Sequence, residues 1–324
     1  MLKKYFLRVV IVSSFFVIFT LPSEAQTNQR EASRYVNIAA DMLERRGNWD
    51  GVIENCDKAI ELNPKSGACY HNRGAAWSGK FFDSKEVHGR DFIDKDIYEK
   101  AIKDFNQAIE LIPENAKPYT GRGLVYVEIG KYDPAFKDFE IAIKLDPQYY
   151  FSYQHRGTAY FKKGAYDKAV EEYSKVIEMN PKYLPAYEMR ALVYEKKGQL
   201  ELAMNDIGRA IELAEKNYSG YNYRAWLYRL GGDHESSFKD LDKSFEIKPN
   251  EARSFEMRGN IYSALGKYDL AVKDFTEAIN LRPKNVDYYK GRARIYRAMK
   301  ELFLAEADEG KIIELEQSLR NDRF

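Results

Sequence analysis

The chain has 324 residues, with 51 lysines and arginines against 50 aspartates and glutamates, so its formal net charge at pH 7 is +1. A balance this close to neutral excludes a general electrostatic attraction to nucleic acid or to an anionic membrane. Two cysteines are too few for a disulfide-rich scaffold or for a four-cysteine metal site.

The N-terminus has the pattern of a secretory signal peptide. Residues 1–8 are basic, residues 9–21 form an apolar run, and the small residues Ser23 and Ala25 stand where signal peptidase cleaves. The apolar run is shorter than the roughly 20 residues that a membrane-spanning helix needs, although an uncleaved anchor is the alternative. The pattern predicts a signal peptide of residues 1–25 and a periplasmic or secreted protein, without a membrane span after cleavage.

A unit of 34 residues recurs along the rest of the chain, after a short linker of residues 26–32. Every interval between unit starts is 34 residues except the second, which is 49 because residues 80–94 are in excess. A fixed period of this length indicates an array of helical repeats. The predicted units are 33–66, 67–115 with the insertion 80–94, 116–149, 150–183, 184–217, 218–251, 252–285 and 286–324, the last including a C-terminal capping helix.

Each unit predicts two helices and no strand. In the third unit the first helix opens near Tyr119 and ends near Gly130, and the second begins at Asp133 and ends before Pro147. A glycine inside a helix costs about 1 kcal/mol relative to alanine, so the recurrence of a small residue at the position of Gly123 indicates that the paired helices approach closely. Eight units therefore predict sixteen helices.

Two local features modify this scheme. The insertion 80–94 is apolar and predicts a lengthened second helix preceded by a folded loop, which would cover part of a groove, dock a partner or pack on its own hairpin. Glu215 stands where other units have a proline, which predicts that the second helix of the fifth unit runs on into the sixth unit.

An arginine on the first helix recurs together with an acid on the second helix. The first unit, which lacks the arginine, also lacks the acid, so we expect the two side chains to pair. Exposed pairs contribute about 0–1 kcal/mol, which favours a role in setting the helix register. A row of anion-binding arginines is the alternative, less favoured because acids match the arginines. Three such pairs, each sixteen positions apart, are Arg122 with Asp138, Arg156 with Glu172, and Arg258 with Asp274.

The recurring stretches resemble the tetratricopeptide repeat (TPR) family from about residue 33 to residue 319. The third unit shows the resemblance in residues 119–126, 130–135 and 139–142, followed by Pro147. The resemblance implies an all-α, right-handed superhelical solenoid of about eight helical hairpins, with a concave face lined by the first helix of each hairpin. It also implies a protein-interaction scaffold without catalytic activity.

Spacing along the first helices predicts which side chains line that groove. An apolar stretch flanked by polar ends is the expected form of a groove for an extended peptide or a partner helix. Trp226 is the strongest candidate, because tryptophan and tyrosine dominate interface hot spots; the alternative is that these residues only pack against neighbouring hairpins. The predicted groove residues are Leu124, Val127, Phe151, Phe161, Leu192, Tyr223, Trp226, Lys290, Arg294 and Arg297.

The sequence contains no arrangement typical of catalysis. The four histidines are scattered and the acids follow the repeat, so no catalytic, metal-binding or cofactor-binding residue is predicted. The recurring tyrosines belong to the repeat core rather than to a platform for single-stranded nucleic acid. We therefore expect a protein or peptide partner and no nucleic acid.

Three alternatives remain open at this stage. The first is a structural or assembly factor of the cell envelope that acts as an oligomer, and the oligomeric state itself is left open. The second, less favoured, is an enzyme with its site in the groove or in the insertion. The third concerns Cys56 and Cys69, which fall in adjacent helices and would form a disulfide in an exported protein.

Overall fold

The structure is a computed structural model that describes residues 24–45, 47–88 and 93–321. These described residues form sixteen α-helices and no strand, which confirms the predicted all-α class. Most of the predicted signal peptide, residues 1–23, lies outside them. The helices are α1 (Glu24–Arg45), α2 (Trp49–Leu62), α3 (Gly67–His88), α4 (Lys95–Leu111), α5 (Ala116–Glu128), α6 (Tyr132–Leu145), α7 (Tyr150–Lys162), α8 (Tyr166–Met179), α9 (Leu184–Lys196), α10 (Leu200–Leu213), α11 (Tyr218–Leu230), α12 (His234–Ile247), α13 (Ala252–Ala264), α14 (Tyr268–Leu281), α15 (Val286–Ala298) and α16 (Leu302–Asn321).

The helices pair as antiparallel hairpins, each odd-numbered helix packing against the even-numbered helix that follows it. They fall into two compact units, a first that ends at Asp146 and a second that begins at Pro147. The first unit contains three hairpins, α1 to α6, and the second contains five, α7 to α16. Within each unit the second helix of one hairpin also packs against the first helix of the next.

In the third to the eighth hairpin, the turn between the paired helices has a residue in the left-handed backbone conformation. Gly130 and four later glycines at 34-residue spacing have φ between 70° and 82°. Glycine adopts this conformation without the steric penalty that a Cβ atom brings. Lys300 occupies the same place in the last hairpin with φ of 67°, and it is the one non-glycine residue with positive φ in the described chain.

The glycine inside the first helix makes room for an aromatic ring of the second helix. A Cβ atom at Gly123 would lie 2.7 Å from Cε1 of Phe139, a fully buried side chain. At Gly259 the ring of Phe275 and the carbonyl oxygen of Ala271 are similarly close. The predicted close approach of paired helices is therefore an approach of ring and backbone to the glycine.

The insertion differs from its prediction. Residues 80–88 continue the first helix of the second hairpin, so α3 is 22 residues long, while the second helix α4 begins only at Lys95. The expected loop ahead of the second helix is thus wrong for residues 80–88, and residues 89–92 lie outside the described chain. The extension is helical because it buries Phe81 completely and lets Lys85 bond to Glu128 of α5 at 3.0 Å.

Two other boundaries also differ from prediction. Residues 26–32, expected to be a linker, are part of α1, and Ala32 is buried there. The second helix of the fifth unit does not run on past Glu215. This helix, α10, ends at Leu213. Asn217 caps the N-terminus of the next helix, α11, because its side chain accepts a hydrogen bond from the backbone N–H of Ser219. A capping asparagine thus replaces the missing proline as the stop signal.

The recurring arginine and acid form buried, two-pronged ion pairs. Nε of Arg122 donates to Asp138 at 2.8 Å and Nη2 donates to its other oxygen at 2.6 Å, while Asp138 is only 3% exposed. The expectation of a weak exposed pair is therefore wrong, because the carboxylate is withdrawn from solvent. The same geometry recurs at Arg73 with Asp104, Arg190 with Asp206, Arg224 with Asp240, Arg258 with Asp274, and Arg292 with Asp308.

Four of these arginines also bond to the preceding hairpin. In each case Nη1 donates to a side chain sixteen residues earlier, on the second helix of the hairpin before. One guanidinium thus joins the two helices of its own hairpin and the neighbouring hairpin as well. The pairs are Arg73 with Asp57, Arg122 with Asn106, Arg190 with Ser174, and Arg292 with Thr276.

The two cysteines face each other across the first two hairpins. Cys56 of α2 and Cys69 of α3 are both fully buried and are free thiols in this structure. A hydrogen bond between the two thiols, together with burial, raises the pKa of Cys56. Cys56 takes the place in its unit that Phe139 takes in the third unit. Their proximity keeps the disulfide as a prediction that depends on export.

We predict that Asp138→Ala lowers the free energy of unfolding by about 3 kcal/mol, because it leaves the guanidinium of Arg122 half-buried without its carboxylate. Chemical denaturation followed by circular dichroism measures the change. Glu54→Ala, which removes the exposed i,i+4 partner of Lys58, serves as the matched control and should have little effect. Equal effects of the two changes would contradict a buried, structural pair.

We predict that Glu172→Asp stabilises the protein. Arg156 bonds twice to a single oxygen of Glu172, at 2.9 and 2.8 Å, and the other oxygen is buried without a hydrogen-bond partner in the described structure. The shorter aspartate accepts from both nitrogens elsewhere in the array, so the change should add about 1 kcal/mol. The reverse change, Asp206→Glu, should destabilise the protein. A loss of stability in both variants would contradict the explanation from the carboxylate geometry.

The effect of Glu172→Asp should depend on pH. Burial raises the pKa of Glu172 in the folded protein, so ionising Glu172 costs stability as pH rises through that pKa. The advantage of the variant should therefore be greatest at neutral pH and should shrink below about pH 4.5, where both carboxyls are protonated. A constant difference from pH 7 to pH 4 would contradict this assignment.

Candidate functional site

In the second unit α11 packs against α13 and α13 packs against α15, so these first helices lie side by side. α9 adjoins α11 through the hydrogen bond of Tyr223 to Glu195, and Tyr183, just before α9, bonds to Gln154 of α7. We call the surface that the side chains of these first helices form, away from the second helices, the inner face. The residues of the inner face considered below are Phe151, Phe161, Glu188, Leu192, Glu195, Tyr223, Trp226, Arg229, Arg253, Glu256, Asn260, Lys290, Arg294 and Arg297.

Two predicted groove residues, Leu124 and Val127, lie in the first unit on α5. Leu124 is partly exposed, but Val127 is only 1% exposed and its prediction as a contact residue is wrong. α3 packs against α5, and the ion pair of Lys85 with Glu128 places the helical extension beside Val127. Val127 is thus buried on a helix that packs against the extended α3, and it has no surface free for a partner.

The centre of the inner face consists of two aromatic residues held by one carboxylate. Tyr223 donates its hydroxyl to Oε2 of Glu195 at 2.8 Å, and Trp226 donates Nε1 to Oε1 at 3.3 Å. Burial and the adjacent Glu195 raise the pKa of Tyr223, so the phenol stays protonated. The arrangement fixes both rings on rigid helices with one edge open to solvent.

Trp226 also contributes to the core. Its ring packs against the cluster of Ile207 and Leu227 and against the cluster of Leu241 and Met257, and so joins successive hairpins. We therefore expect Trp226→Ala to lower stability as well as any binding.

Arg229 and Arg294 of the inner face form no ion pair among the described residues. The guanidinium of Arg229 stacks on the Trp226 ring at 4.3 Å, and its Nε is buried without a hydrogen-bond partner there. Burial lowers the pKa of Arg229, and the charge of Arg294 lowers it further. Arg294 itself donates to Asn260 at 2.8 Å. The remaining predicted cations are paired: Arg297 with Glu309 at 2.6 Å and Lys290 with Glu316 at 3.1 Å.

Two glutamates mark the opposite edge of the inner face, one near the start of α9 and one near the start of α13. Burial raises the pKa of both Glu188 and Glu256. Arg253 opposes this shift at Glu256. The inner face therefore carries charges of both signs on the same helices, with Arg253 and Glu256 together near the start of α13.

The other predicted residues are partly buried. Phe151 stacks on Tyr150 at 4.3 Å and meets the edge of Tyr183, so it belongs to an aromatic cluster at the start of α7. Phe161 meets Tyr166 of its own hairpin at 5.8 Å. Leu192 of α9 is also half-buried.

Sequence reasoning did not single out Glu188, Glu195, Arg229 or Glu256. The repeat pattern could have indicated these residues, because each occupies a position of the first helix that a predicted groove residue occupies in another unit. Charged side chains on helix surfaces are usually solvated. Only the packing shows that these four are half-buried.

The described residues offer little else for chemistry. They contain no group of three or more histidine, cysteine, aspartate or glutamate side chains that could hold a metal ion. In the same part of the chain, no helix has the length and apolarity needed to cross a membrane.

Comparison with protein families identifies the repeat. Residues 89–130 and 157–198 match the family described as a TPR repeat. Families described as tetratricopeptide repeat match residues 252–285 and, separately, residues 116–149 and 184–217. No curated protein matches the chain.

Solved structures with the same fold are distant in sequence. A tetratricopeptide repeat protein from Parabacteroides merdae is 18% identical, with a TM-score of 0.56, over 86% of this chain and 99% of that one. The Cut9–Hcn1 hetero-tetramer of the APC/C gives 17% identity and a TM-score of 0.59 over 88% of this chain, which spans only 54% of its match.

A third structure, the human IFIT1 dimer with m7Gppp-AAAA, gives 14% identity and a TM-score of 0.59 over 88% of this chain and 72% of that one. At such identities the likeness concerns the fold alone. The matched repeats and the sixteen paired helices lead to one conclusion: the chain contains tetratricopeptide repeats, and its fold is that of a TPR solenoid.

Proposed function

We propose that the protein is an exported, non-catalytic scaffold that binds a peptide or a partner helix on the inner face. TPR repeats are in general protein-interaction modules without enzymatic activity. The observation that carries the proposal is the pair of Tyr223 and Trp226 on α11, which Glu195 of the adjacent helix α9 holds by two hydrogen bonds. Both residues are partly exposed to solvent. Rings held in place before binding lose little conformational entropy when a partner arrives.

The surroundings of this pair support a directional peptide site. Leu192 of α9 and Phe151 of α7 add apolar surface, and the inner face also carries charges of both signs. Apolar contacts would supply affinity, and the charges would fix the orientation and reject unsuitable partners.

A structural or assembly factor that acts as an oligomer is the second candidate. One observation favours it: the last helix exposes Phe303 at 80% and Ile313 at 57%. Ile279, 34 residues before Ile313, is buried in a cluster with Tyr288 and Tyr289 of the next first helix. The end of the array therefore offers apolar surface that an additional helix would cover.

We predict that peptides selected from a random phage-displayed dodecapeptide library bind at the inner face. Leu192→Glu should weaken their binding about tenfold or more, because a bound peptide would bury the new charge on the inner face. Leu202→Glu, the same change on the exposed outer side of α10, should leave binding unchanged. Fluorescence anisotropy measures affinity, and thermal melts confirm that both variants fold.

Peptides that bind both variants equally, or a library that yields no binder, would contradict the proposed function. Light scattering of the same samples tests the oligomeric alternative. A particle whose mass rises with concentration, and which Phe303→Glu returns to a monomer, would favour the second candidate.

We predict that the full chain, expressed in a Gram-negative bacterium, appears in the periplasm without residues 1–25 and with Cys56 bonded to Cys69. The thiols already lie in hydrogen-bond contact, and an oxidising compartment would oxidise them. N-terminal sequencing of the fractionated protein tests cleavage, and the number of cysteines that alkylate after denaturation tests the bond. Full-length cytoplasmic protein with two alkylated thiols would contradict export.

A further inference from the structure

We propose that the peptide bound at the inner face places the carboxylate of an acidic side chain against Arg229 and Arg294. This inference rests on the proposed function and names the chemistry of its partner. The two arginines belong to α11 and α15, with α13 between them contributing Asn260.

The first argument is the missing partner of Arg229. The arginines of the repeated ion pairs each hold a carboxylate of their own hairpin, as Arg190 holds Asp206. Arg229 has no ion pair in the described chain, and its Nε is withdrawn from solvent without a hydrogen bond. A buried donor without an acceptor costs free energy in the free protein, so its presence needs a reason. An acceptor supplied by a ligand is such a reason.

The second argument comes from the repeat itself. Phe161 and Tyr166, two units before Arg229 and His234, make an apolar ring contact at 5.8 Å. At the corresponding positions the α11–α12 hairpin has two polar side chains, and Nδ1 of His234 is also buried without a hydrogen-bond partner in the described chain. The same position of the first helix is polar in neighbouring hairpins too, as Glu195 and Ser263, but of these residues only Arg229 has a buried nitrogen without a hydrogen-bond partner in the described chain. Unsatisfied polar groups of this kind are expected at functional sites.

The third argument is electrostatic. The positive charges of Arg229 and Arg294 are close enough to repel each other. Glu195, the carboxylate at the corresponding place on α9, already accepts from Tyr223 and Trp226 with both oxygens. An incoming carboxylate would relieve the repulsion and accept charge-assisted hydrogen bonds from both guanidiniums.

The neighbouring Trp226 favours a peptide over a free anion. Its ring lies directly under the guanidinium of Arg229 at 4.3 Å, so any group bound there also meets an aromatic surface. A peptide supplies apolar side chains for that surface and a carboxylate for the arginines at the same time.

The test compares fluorescein-labelled octapeptides with blocked ends and the sequence Ala-Leu-Glu-Ala-Leu-Glu-Ala-Leu. One version carries glutamine in place of both glutamates, another carries lysine, and a third carries phosphoserine. We expect the glutamate peptide to bind about tenfold more tightly than the glutamine peptide. Arg229→Met should abolish that preference, while Arg297→Met, which removes an arginine already paired with Glu309, should preserve it.

A second readout separates binding from folding. The Nε–H resonance of Arg229, assigned with Arg229→Lys, should shift when the glutamate peptide is added and remain unchanged with the glutamine peptide. Arg229→Met should melt at or above the wild-type temperature, because it removes an unsatisfied buried donor. A large loss of stability would assign Arg229 to the fold and overturn the inference.

The remaining outcomes are distinct. Equal affinity for the glutamate and glutamine peptides, or a preference for lysine, would overturn this inference and leave the proposed function standing. Stronger binding of the phosphoserine peptide than of the glutamate peptide would assign the site to a phosphorylated partner instead. Absence of binding by any of the octapeptides, together with an empty library selection, would overturn the proposed function and the inference together.

Discussion

The buried pair of arginine and carboxylate is the interaction on which the array depends. Each arginine lies on a first helix and grips a carboxylate of the second helix with two hydrogen bonds, as Arg190 does with Asp206. Where the third nitrogen also bonds to the preceding hairpin, one side chain sets both the pairing within a hairpin and its position against the next. Such bidentate geometry is specific, because a planar fork tolerates little displacement. The first helices that carry the inner face are aligned by this repeated pair.

The period of the sequence was sufficient to predict the all-α class and the sixteen helices, because each repeat carries its own helix signals and contacts mainly its neighbours. The same locality explains the failures. Residues 80–88 carry no repeat pattern, so only the burial of Phe81 shows that they extend α3. Val127 follows the groove spacing but is only 1% exposed, and the pattern alone cannot reveal how other elements bury a position.

The candidate site could be predicted only in part, for a related reason. The sequence pointed to Tyr223 and Trp226 through their size and position, but not to Glu195, which fixes them. It also could not separate Arg294 from Arg297, two arginines one turn apart, of which only Arg297 has an acid in reach. Whether a charge is paired depends on distances between helices, and these arise only in the folded array.

The turn at Lys300 lowers the stability of the hairpin that contains it. A lysine held at φ of 67° carries strain of about 1 kcal/mol that the glycines of the preceding turns avoid. The strained turn joins α15 to α16. Because hairpins of a repeat array can open separately, this hairpin should open at a lower cost in free energy than the α13–α14 hairpin, whose turn is made by Gly266.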